Sequence, residues 1–171
     1  MVGVQVHHYH ASCSWSGSTG TGYSAYGRAH EVRVDPTHTA LALSADPAFL
    51  GDPERLNPEQ LLLVAAASCQ LLSFLAVAAR ARVDVVSYTD EAEAVMPETP
   101  RPTRISEIRL QPDITVLAPA VEERVRELVA VAHRECFIAN SPRCSVRAEP
   151  IVRILSQREE DAAGLSPDLG G

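Results

Sequence analysis

Between Leu61 and Ala79 the sequence carries no charged residue, and this run limits the possible folds more than any other feature. It approaches the roughly 20 apolar residues that a bilayer span requires, so the segment is either a membrane helix or the axis of a globular domain. Its composition favours the second. Ser68, Cys69, Gln70 and Ser73 cluster near its middle and Ala supplies much of the rest, which suits close packing on protein better than contact with lipid. The run opens with the sharpest helix start in the chain: Asn57 as N-cap, Pro58 at the first helical position and Glu59 in the first turn. A helix from there to about Arg82 is predicted.

The remaining text alternates strand-like and helical stretches, an α+β pattern. Val2 to Leu43 predicts a small antiparallel sheet, with the Gly/Ser/Thr cluster Ser16 to Gly22 as a turn. Val83 to Val95 and Arg104 to Leu117 predict a hairpin across the Pro-rich loop Met96 to Thr103. Pro119 opens a second, amphipathic helix whose apolar face holds Val121, Val125, Leu128, Val129, Ala132 and Cys136. A last strand, Ser145 to Leu155, leads to an acidic tail, Glu159 to Gly171, predicted to be disordered. Residues 1–158 form the expected single domain, since 171 residues bury a core without staples.

Charge and cysteine usage exclude several classes. Fifteen basic residues, all Arg, against 22 acidic ones give a net charge of −7, which opposes attraction to nucleic-acid phosphates or anionic lipid. The start carries His7, His8 and His10 and no basic segment followed by an apolar run, so a secretory signal is not expected and the cytoplasm is. Cys13, Cys69, Cys136 and Cys144 form no CxxC pair and are expected as thiols in a reducing compartment. His133 and Cys136 would offer a metal two ligands on one helix, but no further ligands stand at recognisable spacing, so no metal is assigned. The glycines of Ser16 to Gly22 precede no helix, and no Lys exists to complete a phosphate-binding loop.

Cys69 lies in the middle of the first helix and Cys136 on the inward face of the second, so the two thiols could meet where the helices pack. The wording around both resembles the OsmC/Ohr family of organic hydroperoxide reductases. Asn57-Pro58-Glu59-Gln60-Leu61-Leu62, followed by Ala65-Ala66-Ala67-Ser68-Cys69, is similar to that family's helix start with a peroxidatic cysteine ten residues after the Glu. Ala132-His133-Arg134-Glu135-Cys136, with Asn140-Ser141 after it, is similar to its resolving-cysteine motif. The resemblance extends more loosely over Trp15 to Ile154. It departs at Phe137, where the family usually has Pro, and Cys144 stands as an additional thiol able to replace or compete with Cys136.

The resemblance implies an OsmC-like fold: antiparallel sheets packed around a long buried central helix and a second amphipathic helix, in an intertwined homodimer. It implies no bound cofactor and an external dithiol reductant of the dihydrolipoyl type. It assigns catalysis to Cys69 and Cys136, with Arg28 stabilising the thiolate and Glu59 holding that Arg; Arg33 is the rival for the first role. A guanidinium would be needed because a thiol in an apolar pocket has a raised pKa and is inert. Leu62, Leu72 and Phe74 are expected to form the substrate wall and to favour organic hydroperoxides. Glu59 and Cys69, ten residues apart on one helix, lie about 15 Å apart, so an Arg–Glu pair would have to reach the thiol of a second chain. The competing reading is a non-catalytic dimeric module that binds an apolar ligand in the same pocket.

Overall fold

The computed structural model describes residues 4–156; the predicted acidic tail lies outside them. The chain forms two compact units, Met1–Leu61 and Leu62–Gly171.

In the first unit, β1 (Ala11–Ser14), β2 (His30–Val34) and β3 (Ala40–Leu43) form the expected antiparallel sheet in the order 1-2-3. The predicted turn is a longer loop, organised by aromatic residues rather than by its glycines. Trp15 Nε1 donates to the Gly27 carbonyl at 2.7 Å, and the Trp15 and Tyr23 rings each meet Tyr26 edge-on. After β3 the chain makes a tight return in which the Cβ of any residue at Gly51 would fall 1.6 Å from the Ala45 carbonyl oxygen, so only glycine fits. Asn57 then starts α1 (Pro58–Arg80) with a reciprocal cap: its Oδ1 accepts from the Gln60 N–H at 2.8 Å, and Gln60 Oε1 accepts from the Asn57 N–H at 3.0 Å.

In the second unit α1 stops at Arg82, whose φ of 57° is left-handed. The Val83 N–H bonds back to the Ala78 carbonyl and the Arg82 N–H to that of Ala79, a Schellman closure with Arg in place of the usual Gly. The predicted hairpin is present but kinked. Each long strand divides in two, giving β4 (Val85–Asp90), β5 (Glu93–Val95), β6 (Glu107–Leu110) and β7 (Pro112–Leu117), with β4 antiparallel to β7 and β5 to β6. The last strand divides likewise into β8 (Ser145–Ala148) and β9 (Ile151–Leu155). Proline explains the common break: Pro112 and Pro150 have no N–H for a ladder, and the Gln111 N–H turns instead to Asp90 Oδ1 at 2.7 Å.

The sheets are therefore antiparallel where the hairpin builds them and mixed where the chain's end joins. The helix α2 (Glu122–Glu135) is the crossover after which β8 lies parallel to β6, and β9 parallel to β7. Phe74, Val77 and Ala78 of α1 pack with Ile114 and Val116 of β7 and with Val125, Leu128, Val129 and Ala132 of α2. A second cluster joins Ala66 to Ile108 and Leu110, with Leu62, Ile138 and Cys144 against it. The long central helix is buried along one side: Ala66, Gln70, Phe74, Val77 and Ala78 are buried, whereas Val64, Leu72 and Leu75 on other faces are exposed. In length and apolar character α1 would suffice to cross a membrane, and here one side of it forms the core of the protein.

Candidate active site

Two helices bring two cysteines together. Cys69 is half-buried on α1, and Cys136, fully buried, is the residue at which α2 ends. Each thiol lies near enough to the other to shift its pKa. Cys69 lines a cavity of about 740 Å³ whose other walls include Ala65, Leu72, Ala76 and Phe137, with Arg80 and Glu135 as its charged members. Phe137 is 81% exposed, an unusual setting for a ring of that size beside a thiol.

The two thiols are tuned in opposite directions. Burial by itself would raise Cys69, but hydrogen bonds from the Ile138 backbone, the Cys136 thiol, the Phe137 backbone and Ser73 outweigh it, and the Cys69 pKa is lowered. Cys136 is raised, first by burial and then by the neighbouring Cys69, despite the Ala139 N–H 3.4 Å from its sulfur. The pair thus has a defined polarity, the thiolate being favoured at Cys69 and the thiol at Cys136.

A buried polar bridge fixes the helices on either side. Gln70, next to Cys69, is wholly buried, and its Oε1 lies 3.2 Å from His133 Nδ1, one turn before Cys136 on α2. The other ring nitrogen, Nε2, lies 3.0 Å from the Val146 carbonyl of β8, an edge strand of its sheet among the described residues. Both His133 nitrogens are therefore occupied by protein groups, which removes the residue from any metal set. Among the described residues Gln70 Nε2 is left without a partner, as is the Tyr88 hydroxyl, whose pKa is raised by burial first and then by the charges of Asp90 and Cys136.

Of the expected wall residues, Leu72 lines the cavity. Leu62 and Phe74 do not. Phe74 is five positions from Cys69, about 140° around the helix, and is buried against Val77 and Tyr88 in the core. Leu62 lies two turns earlier and packs towards Ile108 and Leu110. Cys144, the alternative resolving thiol, belongs to that same second cluster.

A family model for the OsmC-like proteins matches residues 51–150, more than half of the chain and including both cysteines. The chain belongs to the OsmC-like family. Among solved structures, an OsmC-like protein of unknown function from Vibrio cholerae is 27% identical, with a TM-score of 0.76 over 85% of this chain and all of that one. An organic hydroperoxide resistance protein OsmC from Legionella pneumophila is 20% identical (TM-score 0.67), over 88% of this chain and 99% of that one. An organic hydroperoxide resistance protein from Elizabethkingia anophelis, with thiocyanate bound, is 16% identical (TM-score 0.67) over the same shares. Curated protein sequences gave no significant match.

Within this OsmC-like chain, Arg28 is held differently from expectation. Its Nη1 and Nη2 donate to the Tyr26 and Tyr23 carbonyls at 2.5 and 2.6 Å, and its guanidinium carbon lies 4.2 and 4.8 Å from the centroids of the same two rings. Among the described residues no ion pair joins Arg28 to Glu59, and the Glu59 carboxylate pairs with no other cation. Two ring faces and two carbonyls satisfy the guanidinium without a carboxylate. Arg33, the rival, is committed to Glu31 at 2.8 Å. The Gln70–His133 bridge and the donors after Cys136 escaped the sequence reading; the one available signal was Gln70 itself, an amide stranded in an apolar run.

Proposed function

We propose that this OsmC-like protein is a cytoplasmic thiol-dependent peroxidase that reduces organic hydroperoxides to alcohols. The observation that carries the reading is the proximity of the Cys69 and Cys136 thiols beside an apolar cavity that Cys69 lines. The Cys69 thiolate attacks the outer oxygen of the hydroperoxide, the O–O bond breaks, and the leaving alkoxide takes a proton to become the alcohol. Cys69 is then a sulfenic acid. Cys136, close by, condenses with it to give a disulfide and release water before further oxidation. An external dithiol reopens the disulfide by exchange and is itself oxidised. The reading of that dithiol as dihydrolipoyl-type rests on family resemblance.

A homodimer completes this reading. Val64, Leu72 and Leu75 on α1, together with Phe137, leave a large apolar surface open, and such surfaces on a soluble chain mark contacts. A second copy laying its own α1 there would bury both. The resemblance would then have Arg28, which pairs with no carboxylate among the described residues, serve the partner's thiol.

The test is single-turnover reduction of cumene hydroperoxide. Wild type and Cys136→Ser should each consume one equivalent and Cys69→Ser none; equal consumption by Cys69→Ser refutes the assignment. Binding of apolar compounds without turnover in wild type would favour the non-catalytic module instead. Mixing Arg28→Ala with Cys69→Ser under subunit exchange should restore part of the activity if the site is shared between chains.

A further inference from the structure

The cavity that Cys69 lines runs along α1. Cys69, Ser73, Ala76 and Arg80 stand on its wall at steps of four, three and four residues, the spacing of a single helix face. Eleven residues make almost three full turns, so Arg80 lies about 16 Å along the helix from Cys69 and only about 20° around it. Between these two the wall carries no charge. The charged lining residues stand at opposite ends. Gln70 meets His133 at 3.2 Å, which sets the end of α2 beside Cys69, so Glu135, two residues beyond His133, belongs to the thiol end of the cavity. Arg80 belongs to the other end. It is exposed, and among the described residues it enters no ion pair. As the last residue of α1 it complements the helix dipole, a role that uses its charge and leaves its hydrogen-bond donors free.

We propose that Arg80 is a specificity-determining residue that anchors the carboxylate of a long-chain hydroperoxide and so holds its hydroperoxide end towards Cys69. The proposal rests on Cys69 being the reactive thiol, and it adds the substrate class: an aliphatic chain with an anionic group at one end. Glu135 opposes a carboxylate at the thiol end and Arg80 attracts one at the other, so an anionic amphiphile enters in one orientation. A guanidinium receives a carboxylate through paired N–H donors. The chain as a whole carries a net charge of −7 and repels anions. A preference for a carboxylate at Cys69 must therefore come from a local cation, and Arg80 is the cation lining the cavity.

The test is protection of Cys69 from iodoacetamide in the full chain as it assembles, read on the Cys69 peptide by mass spectrometry so that the other cysteines do not interfere. The probes are laurate and the uncharged dodecanol, which share a chain length. Laurate should protect at about fivefold lower concentration than dodecanol, the upper end for an exposed ion pair, and added salt should narrow the difference. Arg80→Leu should bring laurate to the level of dodecanol, and Arg80→Gln carries the test if circular dichroism shows that Arg80→Leu does not fold. Arg104→Leu, which removes an exposed cation that does not line the cavity, should leave the preference in place. Equal protection by the two probes, protection by neither, or a preference that survives in the folded Arg80 variant overturns the proposal. Protection needs no turnover: a protein that prefers laurate as expected but leaves cumene hydroperoxide unconsumed refutes the peroxidase reading alone.

Discussion

Replacing His133 by Leu removes one ring and strands two groups, the buried Gln70 amide and the half-buried Val146 carbonyl of β8, which lie 3.2 and 3.0 Å from its nitrogens. A buried polar group deprived of its partner costs about 1–3 kcal/mol, so His133→Leu should destabilise the protein by roughly 2–4 kcal/mol. Gln70→Leu is a different perturbation at the same contact. It keeps the volume and loses the bond to His133, but it also removes Nε2, which has no partner in the fold. Its cost should stay within about 1 kcal/mol. In the double variant only the Val146 carbonyl remains stranded, so the loss should be roughly 1–2 kcal/mol, less than for His133→Leu alone. The cycle then gives a coupling of about 1–2 kcal/mol. Urea denaturation of the reduced protein at one fixed concentration measures all four corners, the fixed concentration guarding against linkage to assembly. Additive costs, within about 0.5 kcal/mol, would show that the bridge carries no energy and that packing alone sets α1 against α2.

Peptide mapping after one equivalent of hydroperoxide should find Cys69 joined to Cys136, because those thiols are near enough to shift one another's pKa while Cys144 packs in the second cluster; a dominant Cys69–Cys144 bridge would contradict this. The exposed Asp113 carboxyl, held below its ordinary pKa by hydrogen bonds from Arg153, contributes stability above its unfolded pKa that is lost as pH falls through the lower folded value. Arg153→Ala should therefore move the Asp113 titration, followed by NMR, upward, and no movement would mean that the pair at 2.6 Å is not formed in solution.

The sequence by itself determined the elements that local chemistry specifies. Asn57, Pro58 and Gln60 place the start of α1 because a cap and its reciprocal bond involve residues three apart, and apolar spacing puts Cys136 on the inward face of α2. The family, and with it the pair Cys69 and Cys136, was legible because both cysteines sit in contiguous motifs. Tertiary structure decided what depends on groups distant along the chain. Pro112 and Pro150 break three strands at one level only once those strands lie side by side. Gln70 is an orphan amide in the sequence and a partner of His133 in the fold, across 63 positions. Phe74 looked like a cavity wall because an apolar run does not say which face turns to the core, and only packing against Tyr88 and α2 settles that it turns inward. The groups that lower the Cys69 pKa are the Ile138 backbone, the Cys136 thiol, the Phe137 backbone and Ser73. Every residue but proline carries an N–H, so sequence cannot mark which ones matter; only the fold brings the turn after α2 beside Cys69.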